Sequence, residues 1–270
     1  MADPKVLTEL RADLAAEQES VDALVAGLDG AAWETASPAE GWTVKDQISH
    51  LASVDQWATT ACSDPAAFTA WMAGFGPEPD GEAIVNEPVE QARTMSGAEV
   101  LAWWRSGRAR LFEMVDGLDP DLRVPWFGPP MSLPMLLTAR LMETWAHGVD
   151  VAEALGAARP PTARLRHVAH LGVRTRAYSY AMRGRALPAG DVRVELDGPG
   201  GERWTWGEEG AAGCVTGPAL DFCLVVARRR HPDDTALKVE GPLAAEWLAI
   251  AQAFAGPAGK DPAPMRPGAR

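Results

Sequence analysis

Three residues of this sequence have the side chains and the spacing that a divalent metal site requires. Glu143 and His147 are four positions apart, which on an α-helix places both side chains on one face, one turn from each other. His50 lies in a distant segment beside the apolar residues Ile48 and Leu51, so on a helix it would point toward a bundle interior. Two histidines and one carboxylate leave coordination positions open for water or substrate. The pattern is therefore compatible with an open metal site.

The same three residues also have a simpler interpretation. Polar pairs four positions apart are common on exposed helix faces, so Glu143 and His147 could be an ordinary surface pair. His50 would then be a core imidazole with a satisfied hydrogen bond. Spacing alone leaves both interpretations open.

Apolar residues recur at helical spacing in four segments of the first 160 residues, and these segments predict the helices that position the site. The predicted helices run from Val6 to about Leu28, from an N-cap at Thr43 through Trp57, from an N-cap at Ser96 to Val115, and from an N-cap at Ser132 to Leu155. Between them, residues 64–95 form a long excursion with short helical pieces around 66–74, and residues 125–130 form a Pro-broken loop. Both would shape a pocket.

The hydrophobic period changes in the second half of the chain, which predicts a mixed domain. A helix at about 164–183 precedes a β-hairpin, in which Val192, Val194 and Leu196 alternate with charged residues and Trp204 and Trp206 alternate again. A strand at 213–216, a helix at 218–229, a strand at 237–240 and a helix at 242–254 follow. We therefore predict a helical domain over residues 1–160, a second domain over 161–258 that includes the linking helix, and a flexible tail over 259–270.

Composition excludes several classes of function. The chain has 270 residues, 47% hydrophobic content and a net charge of -12, which suits a globular protein and disfavours a nucleic-acid partner. No apolar run approaches the length of a membrane span, the charged N-terminus lacks a signal-peptide core, and the three cysteines have no CxxC spacing. These features predict a cytoplasmic protein without a membrane partner. Nucleotide-binding loops and serine-hydrolase motifs are absent from the sequence, and its oligomeric state cannot be derived.

Two segments resemble signatures of the mycothiol-dependent maleylpyruvate isomerase branch of the DinB-like superfamily. They are residues 41–52, GWTVKDQISHLA, and residues 139–151, ARLMETWAHGVDV. The resemblance implies that His50, Glu143 and His147 are the metal ligands. It also implies an α+β fold, in which a DinB-like up-down four-helix bundle is followed by a small sterol-carrier-like α/β domain. Residues 215–222 resemble part of that second domain.

The resemblance further implies a divalent metal and mycothiol, the low-molecular-weight thiol of actinobacteria. A His₂Glu set suits zinc first, with nickel, iron and manganese also compatible. The implied function is an enzyme that activates the thiol for isomerisation or S-transfer on a small electrophilic substrate. An alternative is a non-catalytic, metal-dependent protein that binds a small molecule or lipophile, and a third is a purely structural ion.

Several further residues are weaker candidates for the site. Asp46 or Asp150 could accept the second ring N–H of a ligand histidine, although Asp46 could equally support a helix N-terminus. Arg93, Arg105 and Arg140 are possible donors to an anionic thiol or substrate. The other histidines, His167, His170 and His231, and the cysteines, Cys62, Cys214 and Cys223, are expected to have no chemical role.

Overall fold

The structure, a computed structural model, describes residues 4–76, 80–257 and 261–265. The chain divides into two compact units, Met1–Arg159 and Pro160–Arg270. The first unit is mainly helical and the second combines helices with a four-stranded sheet, so the α+β fold class predicted from the sequence is confirmed.

The first unit consists of helices and one short hairpin. In chain order its elements are α1 (Pro4–Val25), α2 (Gly30–Trp33), α3 (Val44–Ser63), α4 (Pro65–Ala73), α5 (Gly81–Ala92), α6 (Gly97–Val115), β1 (Arg123–Trp126), β2 (Gly128–Ser132) and α7 (Leu133–Ala154). The long helices pack as α3 with α6, α1 with α7 and α3 with α7. Their fully buried side chains include Leu14, Val21, Ile48, Leu51, Trp104 and Leu141. Each such aliphatic side chain stabilises the fold by about 1.5–3 kcal/mol relative to exposure.

Local capping sets where the principal helices begin, as the sequence predicts. Thr43 and Asp46 form a reciprocal capping box at the start of α3, and Ser96 and Glu99 form another at the start of α6. Ser132 accepts a hydrogen bond from the backbone of the first turn of α7. Both helices that carry candidate ligands therefore start at a defined residue.

Three details of the first unit differ from the sequence prediction. Gly30 begins the short helix α2, capped by Asp29, and the first helix has already ended at Val25. In the excursion over residues 64–95, α4 lies where a helical piece was predicted, but α5 was not predicted. The Pro-rich segment predicted as a loop is the antiparallel hairpin β1–β2, in which Arg123 pairs with Ser132. Proline lacks a backbone donor and conceals the strand pattern, so this pairing is visible only in the fold.

The second unit contains one sheet and the helices packed on it. Its elements are α8 (Leu165–Arg174), α9 (Arg176–Ala181), β3 (Val192–Asp197), β4 (Arg203–Trp206), β5 (Gly213–Pro218), α10 (Ala219–Val226), a 3-10 turn (Pro232–Asp234), β6 (Lys238–Glu240) and α11 (Pro242–Ile250). The strand order is β4-β3-β5-β6, with β3 and β5 parallel and the outer pairs antiparallel. The predicted hairpin is confirmed, with Val194 opposite Trp206 and Leu196 opposite Trp204.

The three predicted helices of this unit are shorter or broken in the structure, and the one predicted at 218–229 is α10, which ends at Val226. The linking helix is broken at Thr175, whose hydroxyl donates to the carbonyl of Leu171 and ends α8. The last helix ends at Ile250 because Ala251 turns to an extended conformation and the Gln252 backbone N–H donates to Ser179. The tail predicted to be flexible lies partly outside the described residues, and residues 261–265 have no helix or strand. Among the described residues, no helix combines the length and apolar content needed to cross a membrane.

Candidate metal centre

The three predicted ligand residues lie together in the first unit. His50 comes from the second turn of α3, and Glu143 and His147 come from adjacent turns of α7. The Glu143 Oε2 atom is 3.2 Å from His147 Nε2 and 3.6 Å from His50 Nε2. One ligand atom from each of the three residues lies within 4.8 Å of the others. Both histidines are buried and Glu143 is partly buried, so the site opens toward solvent on the carboxylate side.

A hydrogen-bond chain determines which nitrogen of His147 carries the proton. The Ser37 hydroxyl donates to the carbonyl of Trp42, so Ser37 accepts from the side-chain amide of Gln47. The amide nitrogen of Gln47 therefore faces Ser37, and its oxygen Oε1 lies 2.5 Å from His147 Nδ1. Because that oxygen can only accept, Nδ1 is the protonated nitrogen. The lone pair on Nε2 then faces Glu143.

The charges of the trio suit a cation. Burial lowers the pKa of His50 to about 4, and the nearby His147 acts in the same direction. Burial would raise the pKa of Glu143, but the neighbouring His147 and His50 outweigh it and hold that pKa well below its usual value. At neutral pH the site thus presents a neutral His50 imidazole and an ionised carboxylate. These are the protonation states in which both groups bind metals.

An indole ring covers one side of the two imidazoles. The Trp42 ring is nearly parallel to that of His147, at 6.1 Å between centroids and 19° between planes, and lies 5.4 Å from the His50 ring. The preceding residue, Gly41, has a φ of 78°, which permits the tight turn before α3. Arg93 donates to the Gly41 carbonyl and fastens this turn. Trp42 is therefore a fixed wall beside the site.

Gln47, and not the predicted Asp46 or Asp150, is the residue that hydrogen-bonds to the ring of His147. Asp46 accepts from Thr43 and Arg93 at the start of α3, so it supports the helix N-terminus, as the alternative interpretation held. Asp150 Oδ2 lies 3.9 Å from His147 Nδ1, which is too long for a hydrogen bond. Gln47, one turn before His50 and fully buried, is the residue that sequence reasoning missed.

The three candidate arginines are engaged elsewhere in the first unit. Arg93 pairs with Asp46 at 3.1 Å, and Arg105 pairs with Asp22 at 2.6 Å. Arg140 is buried and donates from Nε to Asp55 at 2.9 Å, although its Nη2 has no hydrogen-bond partner among the described residues. Arg140 is three residues before Glu143 on α7, and of the three it is the one whose charge helps to lower the pKa of His50.

The remaining histidines and cysteines do not join the site. His170 accepts a hydrogen bond from the Trp206 indole, and His231 caps the 3-10 turn that begins at Pro232. Cys62 and Cys223 are buried and Cys214 is half-buried. Burial raises the pKa of the Cys62 thiol to about 11, which makes it unreactive. Within the described ranges, the grouping of three metal-ligand side chains that meets the distance criterion is His50, Glu143 and His147.

Two buried histidines and a partly buried carboxylate on two bundle helices form the kind of donor set with which helical bundles hold metal ions. Residues 14–152 match the mycothiol maleylpyruvate isomerase N-terminal domain family, and this chain belongs to that family. The branch of the DinB-like superfamily that the sequence resembles is thereby confirmed.

The chain is also similar to curated proteins and solved structures. Two uncharacterised proteins of Mycobacterium tuberculosis, from strains CDC 1551 / Oshkosh and ATCC 25618 / H37Rv, are each 46% identical over 260 residues, covering 96% of this chain and 99% of the relative. The crystal structure of the mycothiol-dependent maleylpyruvate isomerase superposes with a TM-score of 0.59 and 18% identity, over 86% of this chain and 92% of that one. A histidine-to-alanine mutant of the same enzyme gives a TM-score of 0.58. At this identity the solved structures establish the shared fold.

Proposed function

We propose that this protein is a divalent-metal-dependent enzyme that uses a low-molecular-weight thiol, mycothiol, for isomerisation or S-transfer on a small electrophilic substrate. His50, Glu143 and His147 are the proposed ligands, zinc is the proposed metal, and the cytoplasm of an actinobacterium is the proposed compartment.

The observation that carries the proposal is the pairing of two electron-rich atoms. With the proton of His147 on Nδ1, its Nε2 lone pair faces the Glu143 carboxylate across 3.2 Å. The His50 Nε2 atom approaches the same carboxylate oxygen at 3.6 Å. Such groups repel unless a proton or a metal ion lies between them. A divalent ion would bind the two imidazole nitrogens and the carboxylate oxygen at the same time.

The distances also agree with the size of a metal site. Ligand bonds of about 2.1 Å in tetrahedral geometry place neighbouring ligand atoms about 3.4 Å apart. The separations of 3.2 and 3.6 Å from Glu143 Oε2 lie on either side of that value. Two of the three separations between ligand atoms therefore match a tetrahedral metal site.

The chemistry assigned to the metal is that of an open three-ligand site: when bound, it lowers the pKa of an approaching thiol or water and polarises a carbonyl. The side chains around it hold and shield the reacting groups. Gln47 keeps His147 in the tautomer that offers Nε2. Trp42 excludes water from one side of the imidazoles and presents an aromatic face to a planar, unsaturated substrate.

The choice of thiol rests on family membership. A solved structure with the same fold is that of the mycothiol-dependent maleylpyruvate isomerase, and the N-terminal family carries the name of the same enzyme. Substrate identity differs easily between members of one fold, so maleylpyruvate is the first substrate to test.

The test combines metal analysis with thiol titration. Purified wild-type protein is expected to hold about one equivalent of divalent metal, and His50→Ala and His147→Ala to hold less than about a tenth of that. Mycothiol is expected to bind the metal-loaded wild type, to bind neither variant, and to support turnover of maleylpyruvate or another activated alkene.

The matched control is His170→Ala, which removes a histidine of the second unit and should change neither quantity. Retention of metal by both ligand variants would refute the site. Metal binding without any mycothiol binding would refute the thiol mechanism and leave the site standing.

A further inference from the structure

Two arginines of the second unit share one carboxylate oxygen. The Arg183 Nη2 atom donates to Asp261 Oδ1 at 2.7 Å, and the Arg228 Nη2 atom donates to the same oxygen at 2.8 Å. The arginine side chains are only 15% and 7% exposed, whereas Asp261 is 57% exposed. The two guanidinium groups are thus largely buried, whereas the carboxylate that joins them is exposed.

The backbone of Arg228 shows that its position is unusual for an arginine. Arg228 has a φ of 59°, and it is the one described residue other than glycine with a positive φ. It closes α10 through hydrogen bonds from its own N–H to Val225 and from the N–H of Arg229 to Leu224, at 2.9 and 2.8 Å. This closure normally uses glycine, because a Cβ atom strains the left-handed conformation.

Other helices of the same chain close in the same way with glycine. Gly184 after α9 has a φ of 63° and Gly156 after α7 has a φ of 60°, each with the same pair of backbone hydrogen bonds. Helix closure alone would therefore be served better by glycine at position 228. An arginine retained in a strained conformation suggests that its guanidinium has a function.

Asp261 does not use the full binding capacity of Arg183. The Nε and Nη2 atoms of an arginine form a fork that matches both oxygens of a carboxylate. Asp261 accepts from Arg183 Nη2, whereas Arg183 Nε is buried and has no hydrogen-bond partner among the described residues. A carboxylate placed more deeply could fill the fork of Arg183 and still contact Arg228.

We propose that Arg183 and Arg228 form a carboxylate-binding site, that Asp261 occupies it from within the chain, and that a small carboxylate ligand binds there by displacing Asp261. The proposal does not depend on the metal centre or on the proposed enzymatic function. Because Asp261 belongs to the same chain, it competes as a free carboxylate would at a concentration in the millimolar range. A ligand would therefore bind the native protein only if its concentration and affinity are high enough to displace Asp261.

The test uses the full chain and succinate as the probe. By calorimetric titration at constant ionic strength, Asp261→Asn is expected to bind succinate about tenfold more tightly than wild type, because the competing carboxylate is gone. Adding Arg228→Gly to that variant should reverse the gain by at least about tenfold, which corresponds to one charge-assisted hydrogen bond. Arg228→Gly keeps the helix closure and relieves its strain, so the protein is expected to fold.

Two controls distinguish a ligand-binding site from an ion pair that only holds Asp261 against the two arginines. Asp191→Asn removes another exposed carboxylate and should leave succinate affinity unchanged. Thermal unfolding of Asp261→Asn with and without succinate should show the ligand raising Tm in this variant and not in Asp261→Asn/Arg228→Gly. An Asp261→Asn protein with no gain in succinate affinity would overturn the proposal. A gain in succinate affinity that persists after Arg228→Gly is added would also overturn it. The same holds if Asp261→Asn has a lower Tm than wild type and succinate does not raise it.

Discussion

The side-chain oxygen of Gln47 lies 2.5 Å from His147 Nδ1, and this contact determines how His147 presents its other nitrogen. We expect Gln47→Leu, which has similar size and no acceptor, to weaken metal binding by about 10–100-fold. The physical reason is that His147 loses the group that holds its ring and its tautomer. Competition titration with a chromogenic chelator measures the effect.

Two further variants test the same relationship. Gln47→Glu retains an acceptor at Nδ1, so its metal affinity should equal or exceed that of wild type. Gln56→Leu makes the same replacement at an exposed position of α3 and should have no effect. An unchanged affinity in Gln47→Leu would show that the contact does not support the site.

The buried pair of Asp55 and Arg140 joins the two helices that carry the candidate ligands. Both side chains are at most 1% exposed, and Asp55 also accepts from the Trp104 indole at 3.1 Å. Burial raises the pKa of Asp55 although Arg140 opposes the shift, which indicates how costly these charges are to bury. We expect Asp55→Ala to lower the free energy of unfolding by about 3–5 kcal/mol, because Arg140 is left uncompensated.

The double variant Asp55→Ala/Arg140→Met distinguishes the cause. It should recover part of the loss, since the buried charge is gone, but not all of it, since the Trp104 N–H stays without its acceptor. Urea unfolding gives both values. A single-variant loss below about 1 kcal/mol would mean that water reaches the pair.

Asp22 should make the first unit sensitive to acid. Hydrogen bonding from Arg105 lowers the pKa of Asp22 below its ordinary value of 3.8, and the charges of Arg108 and Arg105 add to this against the effect of burial. A carboxylate with a lowered folded-state pKa stabilises the fold above about pH 4, and this contribution disappears as the pH falls through the folded pKa. We expect Asp22→Asn to cost about 1 kcal/mol at pH 7, because Arg105 is half exposed.

The pH dependence provides the decisive comparison. The difference in unfolding free energy between wild type and Asp22→Asn should shrink as the pH is lowered from 4 toward 2, as measured by urea unfolding at each pH. Glu113→Gln, at an exposed position of α6, serves as the control for a lost carboxylate. A difference that stays constant with pH would contradict an ionic origin.

Gly148 allows α1 to approach α7 directly beside His147. A Cβ atom at this position would lie 2.5 Å from Val21 Cγ2 and 3.0 Å from the guanidinium of Arg159. We expect Gly148→Ala to cost about 1–3 kcal/mol of stability through overpacking. Gly107→Ala on α6 is the matched control: its Cβ would meet neighbours only at 3.8–3.9 Å, so the variant should be more stable by about 0.5–1 kcal/mol. Thermal or urea unfolding that ranks the two variants in the opposite order would contradict the packing.

The parts of the fold that were predictable are those determined by neighbouring residues. Thr43 with Asp46, Ser96 with Glu99, and Ser132 are local capping signals, and each begins a helix where the sequence places it. The alternation around Val194 and Trp206 likewise identifies its hairpin. Such signals do not require knowledge of the rest of the chain.

The missed features depend on contacts across the fold. The hairpin β1–β2 contains Pro125, Pro129 and Pro130, which conceal the strand pattern, and α5 continues through Pro88. At the site, a helical offset of four predicted the juxtaposition of Glu143 and His147, and the apolar neighbours of His50 indicated that it points toward the bundle interior. The family resemblance implied that the three form one ligand set. Gln47 was missed because a glutamine in an amphipathic helix gives no sign that a histidine from α7 will lie against it.

The capped starts of α3 and α7 have a consequence for where the chain can vary in length. An added residue within a helix rotates everything after it by about 100°, so an insertion between Thr43 and His50 would turn the imidazole away from Glu143. The same holds between Glu143 and His147. Insertions between Ser63 and Ser96, or around the β1–β2 turn, lie outside both helices and leave each ligand in its register. Proteins that share this centre should therefore keep the short intrahelical offsets and differ in the distance along the chain from His50 to Glu143.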